Sequence, residues 1–115
     1  MRRVSRTLQP GAVIGILGGG QLGRMLALAA ARLGYQCHVY SPERDACALQ
    51  VVGRQTIAPY SDRSALRRFA YDCDVITYEF ENVPEAAVTE CLKHKPVRPG
   101  VKPIHYAQHR LREPG

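Results

Sequence analysis

Short apolar runs alternate along this chain with longer segments whose apolar residues recur at helical spacing. Ala12 to Leu17 is short, apolar and rich in β-branched residues, as expected of a strand buried on both faces of a parallel sheet. Gln21 to Leu33 is built of good helix formers, and Gly34 ends it as a C-terminal cap would. Gln36 to Tyr40 predicts a second strand stopped by Ser41-Pro42, and Asp45 to Val51 a short helical piece. Arg54 to Ala58 predicts a third strand ended by Pro59. Ser61 or Asp62 then caps a helix whose apolar face is Leu66, Phe69 and Ala70. Asp74 to Tyr78 predicts a fourth strand. Asn82-Val83-Pro84-Glu85 opens a helix running to about Leu92, with proline and an acid suited to its first turn. Lys95 to Pro99 predicts one more short strand, and Val101 to Arg112 a last helix.

Strands alternating with helices at this spacing predict an α/β fold: a Rossmann-like, doubly wound parallel sheet in the order 3-2-1-4, with right-handed crossovers. The expected organisation is a basic extension over 1–11, the α/β domain over 12–100 and a helical segment over 101–115.

Composition narrows the classes. The 115 residues carry a net charge of +6, and the first acid is Glu43. Arg2, Arg3 and Arg6 lie ahead of the first strand, and His105, His109, Arg110 and Arg112 crowd the C-terminal end. No basic patch interleaved with aromatics appears, so a nucleic-acid surface is not expected. The apolar stretch from Val13 to Leu33 is broken by Gln21, Arg24, Arg32 and several glycines, which argues against a membrane span. Cys37, Cys47, Cys73 and Cys91 form no C-x-x-C pair. Free thiols in a reducing cytoplasm are expected, with no disulfide and no metal site.

The candidate chemistry lies where two strands end. Gly18-Gly19-Gly20-Gln21-Leu22-Gly23 follows the first strand and opens the first helix. Glycines there allow a tight turn and close approach, and the helix N-terminus offers unpaired amides to a polar, phosphorylated ligand. Thr77-Tyr78-Glu79-Phe80-Glu81-Asn82 ends the fourth strand, the first strand's neighbour in this order. Glu79 and Glu81 are two apart and, on extended backbone, share a side. They either accept hydrogen bonds from an amine or sugar, or are a solvated strand end; Gln21 either reaches a ligand or faces water. Gly18-x-Gly20-x-x-Gly23 also fits a dinucleotide fingerprint, but no acid closes the second strand, where Tyr40-Ser41-Pro42 stands. Ser41 with Arg44 leaves an NADP-binding module of an oxidoreductase or regulatory protein as the alternative, and a noncatalytic binding protein as a third. His38 is expected to be packed, His105 and His109 to lie on a solvated helix face, and Tyr35, Tyr40 and Phe80 to belong to the core or its rim.

Two segments together are more specific than the glycines. Ile14 through Met25, with its Gly-Gly-Gly-Gln-Leu-Gly, and Asp74 through Pro84, with its Tyr-Glu-Phe-Glu-Asn, resemble the N-terminal domain of the N5-carboxyaminoimidazole ribonucleotide synthases. These are ATP-grasp ligases of purine biosynthesis. Val97-Arg98-Pro99 and Ala107 through Glu113 resemble that family's run into its ATP-binding domain. The resemblance implies a pre-ATP-grasp domain forming one wall of a 5-aminoimidazole ribonucleotide pocket. Gly19, Gly20, Gln21 and Leu22 would line it, Glu79 or Glu81 would accept from the substrate, with Glu79 slightly favoured, and Asn82 would lie beside them.

The resemblance further implies ATP, Mg2+ and bicarbonate as the complete enzyme's cofactors and co-substrate, a homodimer and a cytoplasmic location. The sequence departs from the family in His109, where Asp is usual, and in Pro114, where Lys is usual. It ends at Gly115, before the ATP-grasp module. The expectation is therefore a substrate-binding domain with no catalytic residue of its own, which alone neither hydrolyses ATP nor carboxylates.

Overall fold

A computed structural model describes residues 9–79 and 83–99. Five parallel strands form one sheet: β1 (Val13–Leu17), β2 (Gln36–Ser41), β3 (Arg54–Ile57), β4 (Val75–Tyr78) and β5 (Val97–Pro99). Their order is β3-β2-β1-β4-β5, the doubly wound arrangement expected, with the short fifth strand added beyond the fourth. Helix α1 (Gln21–Arg32) connects β1 to β2, α2 (Arg63–Asp72) connects β3 to β4, and α3 (Glu85–Leu92) connects β4 to β5. The expected helical piece at Asp45 is a five-residue 3-10 turn, Cys47–Val51. The helix expected over Val101 to Arg112 lies outside the described residues.

Alternation along the strands divides the core into two layers. Val13, Leu17, Tyr40 and Ile76 face α2 and α3, where Leu66, Phe69, Ala87 and Cys91 cover them. Ile16, Cys37 and Val39 face α1, where Ala27 and Ala30 allow close contact, and Leu49 of the 3-10 turn completes that layer. Gly15, in the middle of β1, is a packing position. A Cβ there would come within 2.5 Å of Cys73 Sγ and 2.8 Å of Phe69 Cζ, so the strand has no room for one under α2.

Local signals act as expected at the helix ends. Asp62, rather than Ser61, caps α2 by accepting from Ala65 N. Gly34 follows α1 at φ +90°. His38 is packed, as expected. Nδ1 lies 2.7 Å from Asp72 Oδ2 and Nε2 lies 2.6 Å from Thr56 Oγ1, so one ring ties β2 to β3 and α2. Burial holds His38 below the usual histidine range, against the upward pull of Asp72. Tyr40 belongs to the core and Tyr35 packs at its rim; Phe80, His105 and His109 lie outside the described residues. Cys37, Cys73 and Cys91 are buried free thiols, and Cys47 is half-buried. No described helix is long and apolar enough to cross a membrane.

Candidate functional site

Leu17 pairs with Tyr40 on one side and Tyr78 on the other. The chain leaving β1 therefore emerges between the ends of β2 and β4. Gly18 N donates to Tyr40 O at 2.8 Å, and Glu79 N donates to Leu17 O at 3.2 Å. Glu79 is thereby set beside the glycine turn, as the sheet order predicts. Gly18 adopts φ +119°, and a Cβ there would lie 2.7 Å from Glu79 Oε1. Only glycine satisfies both the backbone and the carboxylate.

Two of the loop amides do not stand open to a phosphate. Gly20 N and Gly23 N donate to Glu79 Oε2 at 3.1 and 3.2 Å. Gly20 is the N-cap of α1 and has no side chain to cap with; the first turn holds no acid. Glu79, from 59 residues away, does both tasks: its oxygen accepts from the N-cap amide and from the amide of the third helical residue, and its charge faces the positive end of the helix dipole. At 5% exposure it is a buried side chain that accepts from two backbone donors. The expectation that these amides cradle a ligand phosphate is corrected by this finding: the anion at the helix N-terminus is the protein's own.

Around Glu79 opens a cleft of about 560 Å³ at the carboxyl edge of the sheet. Gly19 and Gly20 form its floor on the β1 side. Glu43, Asp45 and Cys47 enter from the connection after β2, and Tyr60 from the connection after β3. Three of its side chains are carboxylates and, among the described residues, no lysine, arginine or histidine lines it. In a chain of net charge +6, this local excess of acid favours ligands presenting N–H and O–H groups and disfavours phosphate. Burial, with the nearby carboxylates of Glu79 and Glu43 adding to it, pushes the Tyr60 phenol up to about 12.

Of the residues singled out from the sequence, Gly19, Gly20 and Glu79 meet in this cleft. Gln21 is at its rim, exposed, its Oε1 3.5 Å from Cys47 Sγ. Leu22 is half-buried in the first turn of α1 and is not among the cleft's lining residues. Glu81 and Asn82 lie outside the described residues. Glu43, Asp45, Cys47 and Tyr60 escaped the sequence reading. The one signal for them was position, since each follows the carboxyl end of a strand near the crevice. Ser41, the residue the NADP alternative needs, is committed elsewhere. Its Oγ accepts from Glu43 N at 3.0 Å and donates to Glu43 O at 3.2 Å, and Glu43 adds negative charge where a 2′-phosphate would sit.

Sheet order, crossovers and an edge cleft at the β1–β4 switch point define a doubly wound α/β ligand-binding domain. Comparison with known families is more specific: the chain belongs to the ribonucleotide synthetase preATP-grasp domain family, whose model matches residues 12–108. It is 48% identical over 107 residues to the N5-carboxyaminoimidazole ribonucleotide synthase of Brucella melitensis, covering 93% of this chain and 30% of that protein. Against the Bacillus subtilis enzyme of the same name the identity is 42% over 106 residues, with 92% and 28% covered.

Among solved structures, the Thermus thermophilus synthetase superposes with a TM-score of 0.70 at 49% identity, over 87% of this chain and 28% of its own. The Aspergillus clavatus synthase, solved with ADP and 5-aminoimidazole ribonucleotide, gives 0.68 at 31% identity, over 92% and 30%. The chain thus spans about 30% of the length of the curated relative from Brucella.

Proposed function

We propose that this domain, folded over residues 12–100, forms one wall of a 5-aminoimidazole ribonucleotide pocket in an ATP-dependent ligase of purine biosynthesis. The observation that carries the reading is the acid-lined cleft around Glu79. Its chemistry suits the amine and ribose hydroxyls of such a ligand. The ribonucleotide's phosphate points away from these carboxylates, which repel it. Glu79 accepts from the exocyclic amine while the Gly20 and Gly23 amides fix its orientation. Gln21 stands at the rim of this wall, and the family resemblance adds Glu81 and Asn82 to it.

In the complete ligase ATP and bicarbonate give carboxyphosphate and ADP, and the amine attacks the carboxyl carbon with loss of phosphate. Mg2+ neutralises the phosphates during that transfer. A cytoplasmic homodimer is part of this reading. Family membership and the ribonucleotide complex of the Aspergillus relative support the assignment of the ligand.

Titrating the isotopically labelled chain with 5-aminoimidazole ribonucleotide, and in parallel with NADP, tests the reading by NMR. The ribonucleotide is expected to shift the Gly19 and Gly20 amides and the Glu79 carboxyl resonance, and NADP to leave them in place. Shifts with NADP alone would replace this reading with the dinucleotide one.

A further inference from the structure

The cleft has one aromatic wall, and nothing so far gives it a task. Tyr60 comes from the β3 side of the sheet, whereas Glu79 comes from β4. Its ring stacks on buried Tyr40 with centroids 5.7 Å apart and planes 18° from parallel. The backbone just before it is tied down twice: Tyr40 Oη donates to Pro59 O at 2.6 Å, and Ala58 N donates to Ser41 O at 3.1 Å. Asp62 N donates to Pro59 O at 3.1 Å and closes the turn around it. Tyr60 is thus held as firmly as a strand residue, although it sits in a connection. Among the described residues its hydroxyl has no hydrogen-bond partner.

The cleft's carboxylates, Glu43, Asp45 and Glu79, are acceptors only when charged, and its Cys47 thiol and Ser41 hydroxyl already donate within the protein, to Gly19 O and Gln21 Oε1 and to Glu43 O. A nucleotide-like ligand offers acceptors as well as donors, and an acceptor facing only carboxylates goes unpaired at a cost. We propose that Tyr60 is a substrate-contacting, specificity-determining residue. Its hydroxyl donates to an acceptor atom of the bound ribonucleotide, a ring nitrogen or ribose oxygen, while Glu79 accepts from the same ligand's N–H. This rests on the ribonucleotide reading above and deepens it. The phenol, pushed up to about 12 by burial and by the neighbouring carboxylates, keeps its proton through the neutral range. The donor and acceptor together select a ligand carrying both kinds of group and reject a plain amine.

The test is the same NMR titration with 5-aminoimidazole ribonucleotide, run on the unsubstituted chain and on Tyr60→Phe, which keeps the ring and its stack. The variant is expected to bind roughly tenfold more weakly, as for loss of one buried hydrogen bond, with an unchanged melting temperature. In the unsubstituted chain the Tyr60 ring resonances are expected to move in step with the Gly20 amide. Binding by Tyr60→Phe within twofold of the original, or a static Tyr60 ring while Gly20 shifts, would overturn the role of Tyr60 and leave the ribonucleotide reading standing. No shift at either position would overturn both.

Discussion

Two carboxylates bracket β4, and both reach across to main-chain amides of the first β–α unit, β1 and the start of α1. Asp74, just before the strand, accepts from Val13 N at 2.8 Å. Glu79, just after it, accepts from Gly20 and Gly23. Asp74 is exposed and serves one donor, in a part-buried contact at the start of β1. Glu79 is buried, serves two donors, faces a helix dipole and lines a cleft. The same chemical contact is thus a trim to the sheet at one end and the centre of the site at the other. Burial makes the difference, because unpaired amides away from water cost far more than exposed ones.

Removing each partner separates the two most strongly. Glu79→Ala leaves two buried amides unpaired and an uncapped helix, and is expected to cost about 2–4 kcal/mol in urea unfolding. Asp74→Ala is expected to cost about 0.5 kcal/mol, the usual scale of an exposed contact. Equal losses would erase the distinction.

The glycines sharpen it next. Gly18→Ala adds a Cβ at φ +119° against the Glu79 carboxyl and is expected to destabilise by about 1–3 kcal/mol. Gly53→Ala meets nothing within 4 Å and is expected to be neutral or to stabilise by up to about 1 kcal/mol.

A smaller effect comes from the other side of the sheet, where titration enters. His38 is held below its ordinary range by burial. The unfolded chain therefore takes up that proton first, and stability falls as pH drops below about 6.5. Burial works to raise the Asp72 carboxyl, but its bonds to His38 and Arg54 outweigh this and hold it low. Its contribution is present above pH 3.8, the ordinary value, and is lost as pH falls below that toward the folded value. Both signs agree. The urea midpoint is expected to be flat between about pH 7 and 8 and to decline below 6, and a midpoint rising on acidification from pH 7 would contradict the assignment.

The features legible in the sequence were those carried by local patterning. The β1 run, the glycine turn and the alternation of elements placed Gly18 beside Glu79 through strand order alone. What the pattern does not encode is the use a side chain makes of its neighbours. Glu79 and the loop read as two groups facing a ligand, whereas in three dimensions the acid is the helix cap. Glu43, Asp45 and Tyr60 reach the cleft from ordinary connections without glycine signatures, so only the folded sheet brings them together. Gly15 looks like one more apolar-strand residue until α2 crosses over it. The turn at Cys47 lacks the length for α-helix and closes as 3-10.

Amide hydrogen exchange at Gly20 and Gly23 tests most directly whether Glu79 is the anion of this helix N-terminus. Both amides are expected to be protected in the unsubstituted chain and in Asp74→Ala, and to lose at least about tenfold of that protection in Glu79→Ala, consistent with one lost hydrogen bond each. Unchanged protection at both glycines without the Glu79 carboxylate would show that something else holds the loop, and would contradict the account.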